Sequence, residues 1–185
     1  MAGWSLGGPV VLTYWHKYHK DSRLSGLVLV DTPPAPMHPG EWNSHGLRAY
    51  NWAGFSKTLA GVMYDREASA LAFIKNMFYG ANPPESDIAW IKEEVMKTPA
   101  WIAVGIGSDL FYTDSAQYLS SVTVPALVFA ADSNFYKKGI EMGRWIAGQI
   151  KNSAFMPMQE AGHILFYEKP DVFNKALVAF INNNL

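Results

Sequence analysis

The sequence has 185 residues, a formal net charge of −1 and no cysteine, and this length suits one globular domain that buries roughly 70% of its unfolded surface. The balanced charge, without a long run of Lys or Arg, excludes the electrostatic footprint of a nucleic acid partner or an anionic membrane surface. The lack of Cys excludes disulfides and thiolate chemistry. The apolar runs are far shorter than the roughly 18 to 20 residues of a membrane span, and together the two features predict a cytoplasmic protein.

The chain opens with the motif GWSLGG at residues 3–8, which contains the pattern G-x-S-x-G. This pattern makes chemical sense on a tight turn from a strand to a helix, where Ser5 occupies a strained position with its Oγ exposed. Gly3 and Gly7 are expected to prevent side-chain clashes in that bend. The motif therefore predicts Ser5 as a candidate nucleophile.

A helix is predicted directly after this turn, over residues 9–18, with a proline tolerated in its first turn. Its apolar side chains recur at helical spacing and are expected to pack on a sheet: Val10, Val11, Tyr14, Trp15 and Tyr18. Backbone N–H groups at the start of the helix point to where a tetrahedral intermediate would carry negative charge. The N–H of Leu6 is therefore a candidate oxyanion donor.

Three short β-rich runs alternate with helical patterns along the chain, which indicates an α/β fold. The run 27–30 is continuously apolar, as in a parallel strand buried on both faces, and Asp31 ends it. A second run covers 124–131, and a weaker third run, 153–163, ends in a Gly-His turn. A closing amphipathic helix is predicted over 171–182.

Residues 38–114 are predicted to form a helical insertion, because helical patterns fill this stretch and no strand is evident. The predicted division is a first core part over 1–37, the insertion, and a second core part over 115–185. Most aromatic side chains of the insertion are expected to pack between helices, and some to face an apolar pocket. They are Trp42, Trp52, Phe55, Phe73, Phe78, Trp90, Trp101 and Phe111.

His163 lies on the turn between the third β-rich run and the closing helix. A serine hydroxyl is a poor nucleophile until an imidazole accepts its proton, so His163 is the candidate general base for Ser5. The other histidines form no H-x-x-x-H pair and have no flanking carboxylate to suggest a metal site, although His16 and His19 are three apart on a helix, and no cofactor is expected. These four are expected to be solvated or partly buried surface residues: His16, His19, His38 and His45.

Together these segments resemble the α/β-hydrolase superfamily, in particular its capped carboxylesterase and non-haem haloperoxidase-like branch. GWSLGG is similar to the nucleophile elbow, LSGLVLVD to the sixth strand, SSVTVPALVFAADSN to the seventh, and AGHILFYEKPDVFNKALVAFI to the His loop and last helix. The resemblance covers almost the whole chain. It implies the C-terminal part of the fold, a mostly parallel sheet with helices on both faces, seventh and eighth strands in the second core part, and a helical cap. It also implies Ser5 as nucleophile, His163 as general base and the Leu6 N–H as oxyanion donor.

The resemblance leaves the identity of the triad acid open. The family's acid usually follows the seventh strand in the pattern P-x-L-V-x-x-G-x-x-D, which places Asn134 where Asp is expected. Asp132 could serve if this loop is remodelled, and Asp31 matches the position after the sixth strand that some haloalkane dehalogenases use. Either residue could instead be a plain turn residue. With Asn134 alone, activity should be feeble, because Asn in place of the triad Asp lowers turnover of a serine protease about 10⁴-fold.

The family places several strands before the elbow, whereas only Met1 and Ala2 precede it here. The sequence thus resembles a hydrolase cut at its fifth strand, either a fragment or a reading frame begun at an internal Met. The loop that normally supplies a second oxyanion N–H would be missing, and one such donor is worth roughly 10² to 10³ in rate. The three remaining strands are expected to expose an apolar sheet edge, where the chain could associate with itself.

These implications favour a serine-dependent hydrolase that cleaves a small, hydrophobic carboxylic ester through an acyl-enzyme. One alternative is a non-catalytic or partner-dependent remnant of such a hydrolase. Another is a perhydrolase or haloperoxidase-like enzyme, in which peroxide replaces water as the acyl acceptor. The expected partner is a small-molecule ester, with neither nucleic acid nor membrane.

Overall fold

The computed structural model of the chain describes residues 1–20 and 23–184. The strands are β1 (Ala2–Trp4), β2 (Leu27–Val30), β3 (Ala126–Ala130) and β4 (Ser153–Pro157). The α-helices are α1 (Gly7–Tyr18), α2 (Trp52–Tyr64), α3 (Arg66–Met77), α4 (Glu85–Lys97), α5 (Ala100–Tyr112), α6 (Gly139–Gly148), α7 (Leu165–Glu168) and α8 (Pro170–Asn184). None of the helices in these described ranges has the length and apolarity needed to cross a membrane.

The four strands form one parallel sheet in the order β1-β2-β3-β4. Every residue of β2 and β3 is buried, because helices cover both faces of these central strands. On one face, Leu29 and Val128 pack with side chains of α1 and α6. On the other, Val30 and Phe129 pack with side chains of α8. The predicted α/β class, with a parallel sheet between two helical layers, is confirmed.

The described part of the chain has four strands rather than the predicted three, because a short strand, β1, precedes the turn that carries Ser5. Three residues are too few to show a strand pattern, and the central Gly3 has low strand propensity. Pairing of β1 with residues 28–30 of β2 fixes it in the sheet. The predicted run 124–131 also shortens to β3, which begins after Pro125. Pro125 has no N–H to donate, although its carbonyl accepts the Leu27 N–H at 2.9 Å.

Only some of the apolar residues of helix α1 pack on the sheet, whereas the sequence predicted that all of them would. Val11, Leu12 and Trp15 are buried in the core. The Trp15 indole N–H donates to the Ser121 carbonyl at 3.2 Å, which anchors the helix. The other apolar residues form a separate stripe, four residues apart along the helix, that is exposed: Val10, Tyr14 and Tyr18. The prediction is therefore confirmed for Val11 and Trp15 and wrong for Val10, Tyr14 and Tyr18.

The edge strand β1 pairs on one side only, with β2, within the described part of the chain. The exposed stripe of α1 lies on the helix that immediately follows this strand. Self-association through this edge stays a prediction, and an unpaired edge beside apolar side chains is its physical basis.

Sedimentation velocity should show a concentration-dependent dimer or larger species that is reduced by Tyr14→Lys. A monomer over the whole concentration range would contradict it.

The predicted helical insertion contains α2 to α5 and a 3₁₀ turn at Tyr79–Ala81. Phe55 and Phe78 are buried, as expected for packing between helices. Trp52 and Trp90 are about half exposed, yet each ring contacts an aromatic residue of another helix, Tyr112 and Tyr167 respectively. Trp101 is 69% exposed, so packing is the wrong expectation for this residue. The boundaries of the three predicted parts of the chain stay predictions.

The glycines of the opening motif differ in what an added side chain would meet. A Cβ on Gly3 would collide with the Gly7 carbonyl, and one on Gly8 would collide with the Thr32 side chain. A Cβ on Gly7 would meet nothing within 4 Å. The expectation that Gly7 prevents a clash is therefore wrong, and Gly8 is the second constrained glycine of the turn.

This contrast predicts opposite effects on stability for two neighbouring substitutions. Gly8→Ala should lower the free energy of unfolding by about 1 to 3 kcal/mol, the usual cost of overpacking, because Thr32 must move. Gly7→Ala should leave it unchanged or raise it by up to about 1 kcal/mol, since Ala favours a helix over Gly. Urea unfolding of both variants measures the difference, and equal effects would refute the assignment.

Candidate active site

Ser5 lies on the turn between β1 and α1, in the left-handed backbone region with φ of 53°. Only a well-supported turn keeps a non-glycine residue in this conformation. Two hydrogen bonds hold it: the Ser5 N–H donates to the Val30 carbonyl at 2.9 Å, and the Thr32 hydroxyl donates to the Ser5 carbonyl at 2.7 Å. The end of β2 thus fixes the serine at the carboxyl edge of the sheet.

His163 and Asp31 form a buried pair at the same edge. Nδ1 of His163 and Oδ2 of Asp31 are 2.6 Å apart, and both side chains are nearly inaccessible to solvent. The other oxygen, Oδ1, accepts the Ala131 N–H at 3.1 Å. With its Nδ1–H given to a carboxylate, the imidazole is held in the tautomer whose Nε2 is free to accept a proton.

Burial raises the pKa of the Asp31 carboxyl above its ordinary value. The hydrogen bond and charge of His163, and the Ala131 N–H, act in the opposite direction by favouring the carboxylate. A buried carboxyl that accepts two hydrogen bonds is well suited to orient an imidazole and to stabilise its protonated form.

The structure brings neither of the other two candidate acid positions to His163. The Asp132 carboxylate accepts the Ile140 N–H at 2.9 Å, at the first turn of α6. The Asn134 side-chain amide donates to the Phe78 carbonyl at 3.2 Å. Of the three positions left open by the sequence, only Asp31 contacts the imidazole.

Side-chain contacts of Trp4 and Glu168 position the loop that carries His163. The Trp4 indole N–H donates to the His163 carbonyl at 2.8 Å, and the two rings lie 5.1 Å apart. The Glu168 carboxylate accepts the Gly162 N–H at 2.6 Å and the Tyr79 N–H at 2.9 Å. Glu168 thereby connects the loop that carries His163 to the 3₁₀ turn at Tyr79–Ala81.

Ser5, Leu6 and His163 line one cavity of about 340 Å³. The cavity also receives side chains from helices α2, α3 and α5, among them Phe73 and Phe111. This confirms that some aromatic side chains of the helical segment face a pocket. Leu6 lies at the N-cap position of α1, so the positive end of that helix faces the cavity.

Tyr136 lines the same cavity, and no sequence pattern predicted a role for it. It is buried, its ring centroid lies 5.3 Å from that of His163, and its hydroxyl interacts with the Ser5 side chain. Burial and the charge of Asp31 raise the pKa of this phenol well above 10, so it stays protonated. No hydrogen bond joins Ser5 to His163 in the described residues, and such catalytic contacts often tighten only when substrate binds.

His45 also lines this cavity. It is half-buried, in line with the expectation of a solvated or partly buried residue, but no sequence pattern predicted its place in the cavity. Its backbone forms an antiparallel bridge with Tyr136, and its ring packs against the Tyr136 and Phe111 rings at 5.7 and 5.8 Å. A single histidine in a loop carries no local signal of this position, because the contact joins segments about ninety residues apart.

Loss of solvent, together with the smaller effect of the nearby His163, lowers the pKa of His45 from 6.5 to about 4. Between these pH values the unfolded chain binds more protons than the folded chain, so folding stability falls as the pH falls. His45→Asn should therefore reduce the stability lost between pH 7 and pH 4.5 by about 2 to 3 kcal/mol. Urea unfolding at both pH values measures this, and an unchanged pH dependence would contradict it.

The described residues contain no group of three His, Cys, Asp or Glu side chains placed to bind a metal ion. His16 lies 4.0 Å from the Tyr118 ring in a stacked pair, and His19 contacts Trp15. Both agree with the expectation of surface packing.

Comparison with known proteins finds relatives across almost the whole chain, while no family model matches. The AB hydrolase superfamily protein YisY of Bacillus subtilis (strain 168) is 22% identical over 185 residues, 99% of this chain and 66% of that protein. A bromoperoxidase from Bacillus anthracis superposes with a TM-score of 0.86 at 23% identity, and the esterase EaEST from Exiguobacterium antarcticum with 0.85 at 20%. Each superposition covers 98% of this chain and 66% of the other. The chain thus spans just under two thirds of the length of these proteins and shares their fold.

Proposed function

We propose that this chain, a member of the α/β-hydrolase superfamily, is a serine hydrolase that cleaves a small, hydrophobic carboxylic ester through an acyl-enzyme. One observation carries the proposal: a buried Asp31–His163 pair faces the same cavity as Ser5, which lies on a strained turn at the start of a helix. A nucleophile, a base and a group that orients the base are the three parts that acyl transfer requires.

The proposed reaction begins when Ser5 Oγ attacks the acyl carbon and His163 Nε2 takes the hydroxyl proton. The Asp31 carboxylate accepts the Nδ1–H throughout and stabilises the imidazolium that forms. The imidazolium then gives its proton to the departing alkoxide, which leaves as an alcohol. Water then attacks the acyl carbon while His163 Nε2 takes its proton. The imidazolium returns that proton to Ser5 Oγ as the acyl–Oγ bond breaks, and the carboxylic acid leaves.

Negative charge on the tetrahedral intermediate would lie next to the first turn of α1. The Leu6 N–H, at the N-cap of that helix, is the proposed oxyanion donor. Such a donor acts more strongly in the transition state than in the ground state, because charge develops on the oxygen during attack. The Ser5 hydroxyl must also turn from Tyr136 toward His163 before it can react.

The size and chemistry of the cavity support the proposed substrate class. A volume of about 340 Å³ suits a small ester. Leu47, Phe73 and Phe111 give it an apolar lining that favours a hydrophobic acyl or alcohol group. Helices α2 to α5 are the proposed cap, because residues from three of them line the cavity.

Hydrolysis of p-nitrophenyl acetate, butyrate and octanoate tests this function. The purified chain should release p-nitrophenol with a burst equal to the enzyme concentration, fastest for the butyrate. A release rate equal to that of buffer for all three esters would refute the proposal. It would instead favour a non-catalytic remnant, or a chain that needs a partner to act.

The bromoperoxidase neighbour supports a second candidate, transfer of the acyl group to peroxide. In that reaction hydrogen peroxide replaces water: it attacks the acyl carbon, His163 moves its proton to Ser5 Oγ as the acyl–Oγ bond breaks, and a peracid leaves. The same assay with acetate ester and hydrogen peroxide separates the two. Peracid as the main product would favour perhydrolysis, and acetic acid would favour hydrolysis.

A further inference from the structure

His45 is a cavity residue whose two ring nitrogens have different surroundings. Nδ1 lies 3.0 Å from the Leu47 N–H and accepts its hydrogen bond. Because a backbone N–H only donates, this contact requires an unprotonated Nδ1, so the proton of the neutral ring is on Nε2. Burial lowers the pKa of His45 to about 4, which keeps the ring neutral near pH 7.

The Nε2–H has no hydrogen-bond acceptor in the protein, as far as the described residues show. The ring itself is fixed, because it packs between Tyr136 and Phe111 and its backbone bridges to Tyr136. His45 lines the cavity, and a fixed donor beside a cavity loses little entropy when it binds a ligand oxygen. Tyr136 connects His45 with the catalytic residues, since its ring also contacts His163.

The charge of the cavity limits which oxygen this donor takes. Among the described residues that line it there is no Lys, Arg, Asp or Glu. A carboxylate brought into this apolar space would lose its hydration without gaining a cation, whereas a carbonyl oxygen loses much less. A neutral acceptor therefore fits the cavity better than an anion.

We propose that His45 is a substrate-binding residue whose Nε2–H donates a hydrogen bond to a second, uncharged carbonyl oxygen of the ester bound at Ser5. This rests on the proposed esterase function and narrows its substrate class to keto esters of small acids. One hydrogen bond of this kind is worth a rate preference of about three- to tenfold over a matched ester without the oxygen.

The sharpest kinetic test compares ethyl 4-oxopentanoate with ethyl pentanoate, which differ only in the second carbonyl. The wild-type ratio of kcat/KM should favour the keto ester by about three- to tenfold, mostly through KM. His45→Asn should bring this ratio to about one, because Asn keeps a bond to the Leu47 N–H but cannot reach the position of Nε2. His45→Gln, whose amide N–H reaches further, should restore part of it.

His38→Asn is the matched control. His38 makes the same local turn, with its Nδ1 accepting the Gly40 N–H at 2.9 Å, but it stacks on Trp42 and lines a different cavity. This variant should keep the wild-type ratio. A ratio that His45→Asn leaves at the wild-type value, or that both variants lower equally, would overturn the proposal.

A binding measurement keeps the inference separate from the proposed catalysis. In Ser5→Ala, which cannot form an acyl-enzyme, long-range ¹H–¹⁵N spectra should show the Nε2–H tautomer of His45 and a shift of that nitrogen with ethyl 4-oxopentanoate only. An Nδ1–H tautomer, or equal shifts with both esters, would overturn the role of His45. Failure of the wild type to hydrolyse any ester would refute the proposed function without affecting this result.

Discussion

Asp31→Asn is expected to lower kcat for a butyrate ester by about 10⁴-fold while the chain stays folded. The Asp31 carboxylate accepts the His163 Nδ1–H at 2.6 Å, inside a site from which water is excluded. An asparagine amide has the same shape, but it presents an N–H that selects the wrong imidazole tautomer. The loss is about 5.5 kcal/mol of transition-state stabilisation. Steady-state turnover, with circular dichroism to confirm folding, measures it.

Asp132→Asn is the matched control for this prediction. The two aspartates end neighbouring strands of the sheet, yet Asp132 contacts Ile140 rather than the imidazole. Its replacement should change kcat by less than about threefold, because the Asn oxygen can still accept the Ile140 N–H and any weakening at a helix start mainly affects stability. If Asp132→Asn proved the more damaging variant, Asp31 would not be the residue that orients His163.

Ser5→Ala should abolish ester turnover, with a loss of about 10⁶-fold in kcat, and His163→Ala should cost nearly as much. The two losses should not add in the double variant, because the hydroxyl and the imidazole act together in one proton transfer. Ser5→Ala should fold normally, since the backbone bonds that hold the turn remain. Turnover of the two single variants and the double variant measures this.

Ser120→Ala is the control for loss of a serine hydroxyl elsewhere. Ser120 is exposed and lines a different cavity. It should keep full turnover. Residual turnover of a tenth or more in Ser5→Ala would show that another group is the nucleophile.

The local pattern of the sequence was enough to predict β2, β3, β4 and the closing helix. The continuously apolar run at Leu27–Val30 is a strand with those same ends, because burial on both faces permits no polar residue in it. The helix predicted over 171–182 is α8, with slightly wider bounds. By contrast, β1 has three residues and gains its structure from pairing with β2 alone.

The site depends on contacts that local patterns do not contain. Spacing along the chain could not separate Asp31 from Asp132, since both follow parallel strands whose carboxyl ends meet at one edge. The structure separates them because Asp132 turns toward α6. His45 and Tyr136 were missed for a related reason: the bridge between them is what brings both side chains into the cavity.

The exposed stripe of α1 shows the limit of counting apolar residues. Val10, Tyr14 and Tyr18 have the spacing of a buried helical face, and so does the set Val11, Leu12 and Trp15. Only the orientation of the helix over the sheet decides which set is buried.

Labelling with a fluorophosphonate probe tests the central claim most directly, because the probe reacts only with a serine that an assembled base activates. Intact-mass analysis of the folded chain should show one adduct per molecule, located on Ser5 and absent from Ser5→Ala and His163→Ala. Ser120→Ala should label as the wild type does. A folded, monodisperse chain that forms no adduct would contradict the claim that Ser5, His163 and Asp31 form a working catalytic triad.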